Sequence, residues 1–111
     1  MHLWELDKNH QAVPADNVYQ WAESFERDHR VAGCELNGLF VSTIFLGVDH
    51  NFGFGGPPLL FETMIFPGEN PPENFPRIQE WASTYQVRYS TWEQAMSGHE
   101  NVVRIIREGL F

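Results

Sequence analysis

Apolar residues recur along this chain at two spacings, and the switches between them divide it into elements. Val18, Trp21, Ala22 and Phe25 stand at i, i+3, i+4 and i+7, one side of a helix. Asn17 can cap that helix, with Gln20 three residues on as its reciprocal partner, and the stripe fades near Asp28. Ahead of it, Leu3 to Leu6 reads as a short strand turned by the polar run Asp7 to Gln11. Behind it, Val31 to Leu36 and Leu39 to Gly47 are joined by Asn37-Gly38, the strongest short hairpin signal, because both turn positions need positive φ. Leu39 to Leu46 is apolar on both alternating faces apart from Ser42 and Thr43, as a central strand requires. Leu59 to Phe66 has the same character, with Glu62 as its exception.

Pro67 to Pro76 holds four prolines and reads as a loop, and Arg77 to Ala82 as a short helix carrying Ile78 and Trp81. Tyr85, Val87 and Tyr89 alternate with Gln86 and Arg88, the pattern of a strand buried on one face. Trp92, Ala95, Met96, His99, Val102, Val103, Ile106 and Leu110 then mark a long helical stripe, and Gly109 is placed to end it. Its capping box is either Ser90 with Glu93 or Thr91 with Gln94. The order predicts one α+β domain over residues 1–111. Its expected form is an antiparallel sheet of three to five strands, with an N-terminal and a longer C-terminal helix packed on one face.

Charge narrows the partners. Seven basic residues against fifteen acidic ones give a net charge of -8, the wrong sign for gripping nucleic acid or an anionic membrane surface. The acids are spread along the chain, as for a solubilising surface. A single cysteine, Cys34, can make no internal disulfide, which suits a reducing compartment. Its strand position, with only Arg30 as a nearby base, reads as inert core. MHLWELDKNH lacks the basic-then-apolar form of a signal peptide, and no apolar run reaches the roughly twenty residues of a membrane helix. The cytoplasm is the expected location, and for a phage-type protein that means the host's.

The candidate chemistry gathers around the loop from Val48 to Pro58. At eleven residues with three glycines it exceeds the two to five or so that a simple hairpin needs, and it hangs between two core strands. Phe52 and Phe54, flanked by Asn51 and Gly55, suit anchors for a partner protein, because aromatic side chains dominate binding hot spots; they equally suit a lid over the sheet edge. Asp49 and His50, with His99, could supply a divalent metal site, but no HxH, HExxH or HxxxD spacing occurs, and Asp49 also serves as an acceptor for turn amides. Glu62 and His99 could work as an acid–base pair, or Glu62 could pair across strands with Arg88 and His99 be a satisfied core imidazole. Gly98, costly inside a helix, points to a close approach by another backbone. Neither a phosphate loop nor a nucleophile elbow is present, so no motif fixes a reaction.

The segments VSTIFLGVDHNFGFGGPPLLFETMIF (41–66) and RYSTWEQAMSGHENVV (88–103) resemble a group of small proteins encoded by bacteriophages and prophages. The resemblance picks out Asp49, His50, Gly55, Pro57, Glu62, Gly98 and His99 as motif positions and carries no activity or cofactor with it. It implies a genomic setting, in which the expected role is a non-catalytic module that binds a host or defence protein, either as a monomer or as a homo-oligomer. The alternative is a small metal-dependent or acid–base enzyme with its site at Asp49, His50, Glu62 and His99.

Overall fold

The computed structural model describes residues 2–51, 55–70 and 75–109, with side chains from residue 80 onward in the second helix. In chain order the elements are β1 (Trp4–Leu6), β2 (Ala12–Pro14), α1 (Val18–Arg27), β3 (Arg30–Leu36), β4 (Leu39–Phe45), β5 (Phe61–Pro67), α2 (Phe75–Thr84), β6 (Gln86–Tyr89) and α3 (Trp92–Glu108). They form an α+β fold with two antiparallel sheets, a β1-β2 ribbon and a meander in the order β3-β4-β5-β6. α3 crosses the meander and touches all four of its strands, α2 joins it over β5, and α1 lies against β1.

Local chemistry accounts for the boundaries. Asn37 and Gly38 take φ values of 50° and 78°, the left-handed pair that a two-residue hairpin needs between β3 and β4. Asn17 Oδ1 accepts from the Gln20 amide at 2.9 Å and caps α1. The Gln20 side chain does not return to Asn17; its Oε1 accepts from the Asp16 amide and its Nε2 donates to Glu5, which ties α1 to β1. Of the two registers open for α3, the structure uses Thr91 with Gln94, and Gly109 closes the helix at φ 67°. β2 has no counterpart in the sequence reading, since three residues ending in proline carry no readable alternation. α2 begins at Phe75, two residues earlier than the proline-rich segment suggested, because proline is tolerated in a first helical turn.

Pairing register settles the two faces of the meander. Leu39, Val41, Thr43 and Phe45 on β4 stand opposite Pro67, Ile65, Thr63 and Phe61 on β5. Val41, Thr43, Phe45, Phe61, Thr63 and Ile65 are all buried on the α3 side. The alternate positions Phe40, Ser42, Ile44, Glu62, Met64 and Phe66 point the other way.

The apolar core beneath α3 is divided. One cluster joins Leu39, Val41 and Ile65 to Ala82, Val102 and Ile106. The other joins Phe45, Leu60 and Phe61 to Leu6 of the ribbon and Ala95 of α3. The threonine pair Thr43–Thr63 lies between the two clusters along the strands, at 0 % exposure for both residues. Among the described residues no helix is long and apolar enough to cross a membrane.

Candidate functional site

A buried line of polar groups runs through the gap between the clusters. Thr43 Oγ1 lies 2.6 Å from Thr63 Oγ1 and 2.8 Å from His99 Nδ1, and the Tyr89 hydroxyl donates to Thr63 Oγ1 at 3.1 Å. Each hydroxyl has one hydrogen to give, and a buried hydrogen without an acceptor is costly. The direction that uses every one runs from Tyr89 to Thr63, from Thr63 to Thr43 and from Thr43 to His99 Nδ1. His99 then accepts at Nδ1 and carries its proton on Nε2. Burial is the main cause that lowers the His99 pKa below the usual imidazole value; Arg30 adds to it and Glu100 opposes it. A neutral ring of fixed tautomer follows.

Gly98 is what lets this line exist. A Cβ at that position would stand 2.1 Å from the Tyr89 hydroxyl oxygen and 2.3 Å from its ring carbon. The close approach inferred from the sequence is therefore made by a tyrosine side chain and not by a second backbone. Tyr89, held in the second core cluster, reaches its threonine across the bare turn of α3.

Glu62 faces the opposite side of the meander from His99, since it neighbours Thr63 on a pleated strand. It stands directly across from Arg88, and its Oε2 accepts from Arg88 Nε and from Gln86 Nε2, both at 3.0 Å. At 7 % exposure, this carboxylate finds in β6 the charged partner that burial demands. The structure thus does not bring Glu62 and His99 together: Glu62 is paired with β6 on one face of the meander, and His99 Nδ1 is engaged by Thr43 on the other.

Asp49 organises the foot of the loop. One of its oxygens, Oδ1, accepts from the Asn51 amide at 2.8 Å and from the Leu59 amide at 2.9 Å, spanning the loop's two ends. His50 N donates to Leu59 O at 2.9 Å, and Val48 bridges to Leu3 of the N-terminal segment. The Asn51 side-chain amide donates to Gly55 O. Gly55 and Gly56 take φ values of 93° and 80°, and a Cβ at Gly55 would meet nothing within 4 Å. The two anchors expected at Phe52 and Phe54 lie outside the described residues. Among the described residues no group of three or more His, Cys, Asp or Glu side chains is placed to hold a metal ion.

Thr43 and Thr63 are the functional-looking residues that sequence reasoning missed. Thr43 stood out only as an exception in an apolar strand, and Thr63 not at all. The usable signal was three polar residues on otherwise apolar stripes, one on each of two central strands and one on the long helix. No protein-family model, curated protein or solved structure matches this chain.

Proposed function

We propose that this protein is a non-catalytic binding module that docks on another protein through the loop at 48–58. In the phage setting that the resemblance implies, the partner is a host or defence protein. The observation that carries this reading is the double hydrogen bond from Asp49 to Asn51 and Leu59, which clamps both ends of a long loop on two core strands. A clamped foot lowers the entropy lost when a loop binds, which is how preorganised recognition loops gain affinity. The open space around Gly55 suits a segment that stands clear of its own domain. The net charge of -8 favours a partner with a basic surface, through faster encounter.

The test is affinity capture with the tagged full-length chain and with its Phe52→Ala/Phe54→Ala variant, each checked for an unchanged melting temperature. A stoichiometric host protein held by the wild type and lost by the variant is the expected result. Equal capture by both chains would overturn the loop as the docking element.

A further inference from the structure

The hydroxyl line ends at a cleft. Between the free edge of β3 and the side of α3 lies an open cleft of about 490 Å³, lined by Cys34, His99, Glu100, Val103, Arg104 and Arg107. That volume falls within the range of small-molecule sites, about 300–1,000 Å³. His99 is 7 % exposed, its Nδ1 is engaged by Thr43, and Nε2 has no hydrogen-bond partner among the described residues. Nε2 is not among the sealed polar atoms either, and His99 lines the cleft. A buried imidazole with one nitrogen fixed from behind presents the other as an N–H donor.

The wall chemistry narrows the ligand. Because Thr43 donates to Nδ1, Nε2 carries the proton and has no lone pair for a cation; it needs an acceptor. Arg104 is already shared with Glu108 at 3.4 Å and Asn101 at 3.0 Å, whereas Arg107 makes no ion pair among the described residues. With Arg104 held by Glu108, Arg107 is the lining cation left without an ion pair among the described residues, and the Glu100 carboxylate lines the same cleft, in a chain whose overall balance is acidic. A monoanion finds its one counter-charge at Arg107, whereas the second charge of a phosphate dianion would meet no further free cation among the described lining residues and would cost more to take out of water. Val103 and Cys34 supply an apolar floor.

We propose that this cleft binds a small organic carboxylate, one oxygen accepting from His99 Nε2–H and the charge facing Arg107, with the apolar body on Val103 and Cys34. The site lies on the β3–α3 side of the meander and is independent of the loop at 48–58. Thr43, Thr63 and Tyr89 act as positioning residues, since they touch no ligand and set the proton on the ring.

The experiment is nitrogen-15 NMR of the full chain, titrated with benzoate, hexanoate and phenyl phosphate. The free protein should show His99 protonated at Nε2; the Nδ1–H tautomer would overturn the proposal. Benzoate or hexanoate should give saturable shifts centred on His99, Val103 and Arg107, and phenyl phosphate should bind more weakly. The absence of saturation with both carboxylates, or tighter binding of phenyl phosphate, would overturn it. Arg107→Glu, an exposed substitution that leaves the core alone, should weaken carboxylate binding at least about tenfold, as loss of a charge-assisted contact does. His99→Phe should abolish it, and undiminished binding by Arg107→Glu would refute the site even if His99→Phe does not fold.

Discussion

At the scale of single residues, the most informative group is His99, because its surroundings tie stability to protonation. Burial lowers its folded-state pKa below the ordinary value, so folding favours the neutral ring. The stabilisation it contributes is complete above the unfolded pKa, about 6.5, and is lost as pH falls from there toward the folded value. The charged side chains around the ring are Glu100, which favours protonation, and Arg30, Arg104 and Arg107, which oppose it or share its cleft. Urea midpoints between about pH 7.5 and about pH 5 should therefore fall more steeply for the wild type than for His99→Gln. Equal slopes would mean that His99 does not contribute. Gly98 offers a second test. Alanine there should gain about 1 kcal/mol of helix propensity, yet its methyl would overlap Tyr89, and overpacking of this kind costs about 1–3 kcal/mol on top of the lost Tyr89–Thr63 bond. Net destabilisation in a urea titration is expected; a stabilised variant would show that Tyr89 moves aside freely.

Among the elements, the loop between β4 and β5 is where one side chain does most to set backbone shape. Asp49→Ala should release the amides of Asn51 and Leu59 together and lower stability by about 1–2 kcal/mol, since two partly buried donors lose their acceptor. Hydrogen exchange checks this: those two amides should exchange faster while the β4–β5 ladder stays protected. If protection changed throughout the sheet, Asp49 would be a folding residue and not a local clamp. This role was legible in the chain as the ordinary use of Asp at a strand end, and so was the Glu62–Arg88 pair, because both depend on neighbours along or directly across a strand. The helices were legible for the same reason: Asn17, Thr91 and Gly109 act within a turn of where they stand. Two kinds of feature were not. β2 is too short to show a period, and its partner is set by the Asp7 side chain, whose Oδ1 accepts from the Asn9 and Gln11 amides and turns the ribbon. The Thr43–Thr63–His99 line needs the register of β4 on β5 and the height of α3 above both, and neither distance is written in local spacing.

Over the whole molecule, the core beneath α3 is two apolar clusters with a polar seam between them, and this arrangement asks for a reason other than stability. Removing one member of the seam should be expensive: Thr43→Val leaves His99 Nδ1 without its donor and the Thr63 hydroxyl hydrogen without its acceptor, at about 1–3 kcal/mol. Replacing the whole line should not be, because a well-packed apolar seam of similar volume loses no hydrogen bond that it still needs. The combined variant Thr43→Val/Thr63→Val/Tyr89→Phe/His99→Leu should therefore be at least as stable as Thr43→Val alone, and close to the wild type in its urea midpoint. If the fourfold variant instead loses the sum of its single losses, the seam is structural and the two clusters depend on it. If stability returns, the polar line is not needed to hold the fold. What it supplies is then the fixed proton at Nε2 of His99, a residue that lines the cleft together with Arg107.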